Sequence, residues 1–176
     1  MIPQLLSTEP VSVPPPPFFR PVEPPIRNVR CSFPRYERAY GDTAAKEGGL
    51  RFEERVQRRL LNSYQGYHAS PKVFFWDRGG CRSCIPDGLL LLRDRSLIVE
   101  IKAQHSPEAW WQLERLYKPL IEVFAPGIPV ARLEICKSFD PAMPFPGDFE
   151  LVSSIDEFLN RSDTKNSFGV HPWRMK

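Results

Sequence analysis

Three side chains between Ile85 and Gln104, in the stretch IPDGLLLLRDRSLIVEIKAQ, have types and spacing suited to chemistry: Asp87, Glu100 and Lys102. Each interrupts an otherwise apolar run. Two carboxylates brought together repel one another, and one is driven toward its protonated form unless a cation lies between them. Mg²⁺ suits that place, because it prefers oxygen ligands, takes one or two carboxylates and keeps several waters; Mn²⁺ is expected to substitute. A metal held in this way polarises a phosphate oxygen and acidifies a bound water. Lys102 adds a fixed positive charge where a pentavalent phosphate gathers negative charge. The chemistry implied is metal-dependent hydrolysis of a phosphodiester. The plainer reading of the same residues is a salt bridge between Lys102 and Asp87 on a solvated sheet face.

The apolar runs that carry these residues read as two strands joined at Arg93-Asp94-Arg95-Ser96. In a strand, residues two apart share a face, so Glu100 and Lys102 point the same way. A loop centred between Asp94 and Arg95 pairs Arg93 with Ser96 and Leu91 with Ile98. Continued, that register sets Asp87 opposite Lys102 and diagonal to Glu100. Diagonal neighbours lie about 7–8 Å apart, near enough to share one ion. Leu97, Val99 and Ile101 then pack on the opposite face.

Pro86-Asp87 followed by Glu100-Ile101-Lys102 resembles the PD-(D/E)xK nuclease superfamily, which includes many restriction enzymes, lambda exonuclease and the RecB-like nucleases. The resemblance spans roughly Gly41 to Ser138. It implies an α/β fold with a restriction-endonuclease-like core, a mixed β-sheet flanked by helices, in which one helix precedes the hairpin and a helix and strand follow it. It also implies that Asp87 and Glu100 are metal ligands, that the carbonyl of Ile101 joins them, and that Lys102 is the catalytic lysine. The superfamily's first-helix glutamate is matched by Glu53, four residues after Gly49, with Glu47 and Glu54 as competitors. RecB-like members carry Gln-x-x-x-Tyr after the hairpin. Gln112 is the matching substrate-binding glutamine here, although Tyr117 follows it one residue too late and is expected to rotate away. The function implied is a nuclease acting on DNA in preference to RNA. The alternative is a catalytically silent nucleic-acid-binding or structural protein on the same fold.

The flanking chain supplies the positioning elements. Residues 1–40 carry Pro14 to Pro17, Pro21, Pro24, Pro25 and Pro34, and proline fixes φ and removes a donor, so an extended or disordered arm is expected. Residues 41–160 form the nuclease-like domain. Its first helix, capped by Asp42 or Thr43, shows an apolar stripe at Leu50, Phe52, Val56 and Leu60. Gly48 and Gly49 weaken it, for close packing or a kink. Glu53 and Glu54 also fit a wet face, as partners of Gln57 and Arg58. Val73 to Trp76 reads as the first core strand and Asp77 to Cys84 as a turn, in which Arg78 and Arg82 read either as contacts to substrate phosphates or as ordinary loop charges. Gln104 is a further substrate-facing group. Ser106 and Pro107 open a second helix, which Pro119 kinks or splits at Lys118. Pro129 to Cys136 alternates like a strand beside that of Glu100. Phe149 to Val152 reads as a short edge strand before a last helix. Residues 161–176 read as a polar tail.

Composition adds limits. The chain has 176 residues, 41% of them hydrophobic, enough for one domain with its own core. Its 24 basic and 21 acidic residues leave a charge of only +3. That suits a nuclease that forms a homo-oligomer or works beside a DNA-bound protein partner. No apolar run approaches the ~18–20 residues of a membrane span and no signal-peptide layout opens the chain, so no membrane partner and a cytoplasmic location are expected. Cys81 and Cys84 form a single C-x-x-C that Cys31 and Cys136 do not complete, which reads as ordinary thiols rather than a zinc or iron–sulfur site.

Overall fold

The computed structural model describes residues 13–37, 43–161 and 167–173. In chain order the elements are β1 (Arg27–Ser32), α1 (Ala44–Ser63), β2 (Tyr67–Ala69), β3 (Lys72–Asp77), β4 (Gly80–Cys84), β5 (Gly88–Leu91) and β6 (Ser96–Gln104). There follow α2 (Pro107–Gln112), a π-helical turn (Leu113–Tyr117), α3 (Lys118–Phe124), β7 (Val130–Ser138), β8 (Glu150–Leu151), α4 (Ile155–Asn160) and β9 (Phe168–Pro172). A six-stranded mixed sheet runs in the order β2-β5-β6-β7-β9-β8, antiparallel on the β2 side and parallel from β6 onward. The chain is thus mixed α/β, with helices on both faces of a mixed sheet. Among the described residues no helix is long and apolar enough to cross a membrane.

Alternation along β6 and β7 divides the core in two. Leu97, Val99 and Ile101 join Leu133 and Ile135 under Phe52, Val56 and Leu60 of α1. Ile98 and Val130 face the other way, against Leu113, Tyr117 and Ile121. Burying each such apolar side chain contributes about 1.5–3 kcal/mol, so α1 is held by the stripe visible in its sequence. Thr43 caps it, its hydroxyl accepting from Lys46 N at 3.2 Å; Asp42, the other expected cap, lies outside the described residues. Gly48 and Gly49 face open space and serve neither close packing nor a kink, the helix running unbroken past them.

Four expectations are corrected. Val73 to Trp76 is not in the main sheet: β3 is the centre of a separate antiparallel sheet, β1-β3-β4. Asp77 to Cys84 is not a turn: only Arg78 and Gly79 turn, and β4 takes up the rest. Strand β4 carries small and polar residues instead of apolar ones, with Arg82 filling an inward position over the Phe75 ring, so no hydrophobic alternation announces it. Residues 161–176 are not wholly a tail, since Phe168 to Val170 is buried as β9 between β7 and β8; 162–166 and 174–176 lie outside the described residues, as do 1–12 of the arm. At Gly169 an added Cβ would lie 2.9 Å from Phe158 and 3.1 Å from Leu133, so this strand depends on a glycine that sequence patterns read as a break. Finally, Pro119 does not split the helix. The π turn before it carries Lys118 N to Leu113 O, five residues back, and α3 starts with the proline in its first turn.

Candidate active site

The β5–β6 hairpin brings Asp87 and Glu100 together in a register two residues from the one expected. Gly88 pairs with Val99, and Leu91 with Ser96, because Leu92 N closes the loop on Arg95 O at 2.9 Å. Continued by one step, the ladder sets Asp87 opposite Glu100, with Lys102 on the diagonal. An even shift keeps every side chain on its face, so the three polar residues still share one side.

Each member is held by a different contact. Asp87 Oδ2 accepts the backbone N–H of Ile101 at 2.6 Å. The Asp87 carbonyl accepts from Ser70 N and from Gln57 Nε2, both at 2.7 Å. Tyr67 donates its hydroxyl to Gln57 Oε1 at 2.7 Å, and Gly88 leaves room for it, since a Cβ there would lie 2.0 Å from that hydroxyl. Lys102 Nζ lies 2.9 Å from Glu100 Oε1, so the lysine pairs with Glu100 and not with Asp87. The other oxygen of Glu100 is buried without a hydrogen-bond partner.

The electrostatics follow from burial. Burial raises Asp87 to about 6, against the lowering effect of the Ile101 N–H and the Lys102 charge. Glu100 is pushed up to about 8 by burial and by Asp87, with Lys102 opposing. Glu53 rises to about 7 through burial and Asp87, again opposed by Lys102. Burial pulls Lys102 down, but Glu100 beside it, and then Glu108 and Asp87, hold it above the ordinary lysine value. Of the first-helix glutamates, Glu53 is the one that feels Asp87 and Lys102, whereas Glu47 pairs with Arg51 and Glu54 with Arg58. The expected i,i+4 pairing therefore holds for Glu54 with Arg58 only, and there Arg58 alone is well exposed. Gln57 is fully buried, and Glu53, one helical turn before it, is half-buried.

A divalent cation fits this donor set by charge. Three carboxylates, at Glu53, Asp87 and Glu100, are set against one ammonium, and a buried Glu100 oxygen lacks a partner. Among the described residues, no group of three or more His, Cys, Asp or Glu side chains forms a metal cluster. Water and the Ile101 carbonyl would therefore have to complete the shell around Asp87 and Glu100, as Mg²⁺ allows.

The expected substrate-binding residues part company. Gln104 ends β6, exposed and on the Lys102 face. Gln112 is half-buried, its Oε1 enclosed without a partner. A π turn closes over five residues, which is the interval from Gln112 to Tyr117, so the extra residue is absorbed. Tyr117 is not turned away from the site: its hydroxyl lies 3.4 Å from Ile85 O, and burial and the nearby Glu100 push its pKa well above the usual tyrosine range. Arg82 sits in β4 with its guanidinium taken up by Asp77 Oδ2 at 2.7 Å and by the carbonyls of Pro21 and Arg20 at 3.0 and 2.8 Å. It pins the proline-rich arm rather than facing the acids.

Sequence reasoning missed Gln57, Tyr67, Tyr36 and Glu108. Burial raises Tyr36 to about 12, with Glu53, Glu54 and Asp87 adding to it and Arg58 opposing. Glu108, in the first turn of α2, acts on both Glu100 and Lys102. The one available signal was that Gln57 continues the Glu53 side of α1 at i+4. Against family models, curated proteins and solved structures, the chain finds no match.

Proposed function

We propose that this chain is a metal-dependent nuclease hydrolysing phosphodiester bonds, in DNA more readily than RNA, on a restriction-endonuclease-like core of the PD-(D/E)xK type. The observation that carries the reading is the unpartnered buried oxygen of Glu100, beside Asp87 and next to a lysine on its other oxygen. A bound Mg²⁺ or Mn²⁺ would supply charge neutralisation and an acidified water. Asp87, clamped at its carbonyl and at Oδ2, and Glu100 would hold that ion, with the Ile101 carbonyl and Glu53 in support. Lys102 presents an ammonium to the phosphate, where negative charge grows on the way to the transition state. Gln104 and Gln112 are the polar groups offered to substrate.

The second reading, a silent nucleic-acid-binding or structural protein, rests on the 2.9 Å Lys102–Glu100 contact, which serves equally as a plain ion pair. End-labelled linear duplex, single-stranded DNA and closed circular plasmid, each with Mg²⁺, Mn²⁺ or EDTA, separate the two. Metal-dependent cutting that disappears in Asp87→Ala and Lys102→Ala is the expected result. Absence of both cutting and metal binding in the wild type would leave the structural reading.

A further inference from the structure

The small sheet β1-β3-β4 has one face in the core and one face bare. Its inner side, Val73 and Phe75, packs on Leu120 and on Val22, Ile26 and Val29 of the arm. Its outer side carries Phe74 and Trp76 on the central strand, 39% and 52% exposed. Arg27 is the register partner of Trp76, and Arg30 of Phe74. Lys72 completes the row, its ammonium 5.0 Å from the Phe74 ring centroid. No aspartate or glutamate among the residues of these strands points outward: Asp77 turns inward to Arg82. A β-bulge in β1, where Asn28 adopts a φ of 54°, opens a recess of about 540 Å³ against the two rings.

We infer that this outer face binds single-stranded nucleic acid, its bases stacking on Phe74 and Trp76 and its phosphates lying along Arg27, Arg30 and Lys72. The charge is complementary to a polyanion and carries no acid to repel one. Exposed rings on a sheet among cations suit unpaired bases, whose π-faces a duplex hides. A protein partner would be equally served by aliphatic side chains, yet the two large groups here are both aromatic. The end of this sheet lies near the acid cluster. Cys84, at the end of β4 and turned inward opposite Val73, is close enough to Glu100 to feel its charge, and only Ile85 and Pro86 separate it from Asp87, a reach of at most ~11 Å. On the outer face the sheet ends at Ser83, the register partner of Phe74, four residues before Asp87. The platform deepens the nuclease reading by naming a strandedness, but its geometry does not depend on catalysis.

Binding is measured by anisotropy of a short labelled mixed-sequence DNA strand and of its duplex, with full-length protein in EDTA. The single strand should bind the more tightly. Phe74→Ala and Trp76→Ala should each weaken it by about tenfold, while Trp76→Phe retains most of the affinity. Arg30→Ala should lower the slope of log affinity against log salt by about 0.7. A folded Phe74→Ala/Trp76→Ala protein that binds like wild type would overturn the proposal. So would wild-type protein that ignores single strands, which would assign the face to a protein partner. The cleavage assay above is read separately: ring-dependent binding without cutting sinks the nuclease and keeps the platform, and cutting with ring-independent binding does the reverse.

Discussion

Two buried glutamates lie side by side in the main sheet and have opposite surroundings. Glu100 and Glu134 are register partners on adjacent parallel strands, both essentially buried. Glu134 has both oxygens engaged, Oε2 with His105 Nδ1 at 2.8 Å and Oε1 accepting from Ser106 N at 3.1 Å. The His105 ring it holds is packed by Phe139, Phe145 and Phe149. Glu100 has one oxygen on Lys102, the other on nothing, and a second acid close by. A buried carboxylate that is fully bonded costs little and orders the chain around it, whereas one left half-bonded is unstable unless something else arrives. Glu134 therefore acts as a brace for the β6–α2 turn, whereas Glu100 keeps one buried oxygen without a hydrogen-bond partner.

The difference yields predictions, the largest first. Lys102→Ala and Asp87→Ala should each reduce metal-dependent cleavage by on the order of 10²–10³-fold or more, with melting temperatures near wild type. Cleavage at the wild-type rate in either variant ends the catalytic assignment. Glu134→Ala should destabilise the fold by about 3–5 kcal/mol in urea unfolding, because it strips a buried His105 and the Ser106 amide of their partner. Glu100→Gln should instead be neutral or stabilising in metal-free protein. If both substitutions cost the same, the contrast between brace and site is wrong.

A weaker effect should appear with pH. Glu100, Glu53 and Asp87 all have folded-state values raised above the ordinary carboxylate range. The native state then holds protons that the unfolded state releases, so stability falls as pH rises from about 4.5 toward 8. Thermal melts in EDTA should show that decline. Mg²⁺ should reverse it, most strongly at the alkaline end, and Glu100→Gln should flatten it. A metal-free melting temperature that climbs over this window would refute the charge assignment. The smallest expected effect is that of Gln57→Leu, which removes one donor to the Asp87 carbonyl and the acceptor of Tyr67. It should cost about 1–3 kcal/mol and lower cleavage less than Lys102→Ala does; an unchanged melt would show that the clamp is not needed.

How far the chain could be read in advance depends on the range of the physics involved. That Asp87, Glu100 and Lys102 share a face was legible, because side chains in a strand alternate with a period of two and an even register error leaves faces unchanged. The register itself was not, because Arg93-Asp94-Arg95-Ser96 contains no residue that dictates a loop length. The stripe of α1 was legible for Phe52, Val56 and Leu60, but Gln57 read as solvent-facing. Its burial comes from Tyr67 and the Asp87 carbonyl, both distant in sequence. Strands β4 and β9 were invisible: one turns a half-buried arginine inward where a leucine would be looked for, and the other relies on Gly169 fitting beneath Phe158.

The sequence by itself determined the residue types available for chemistry, the faces they share within each element and the apolar stripes that hold those elements together. All of these are set by backbone periodicity over a few residues. Only the tertiary structure decided which carboxylate would be satisfied and which left open, that Arg82 would fasten the arm instead of facing the acids, and that Phe74 and Trp76 would be bare. Those outcomes depend on which group from a distant part of the chain reaches a buried donor or acceptor first, and no local pattern encodes that.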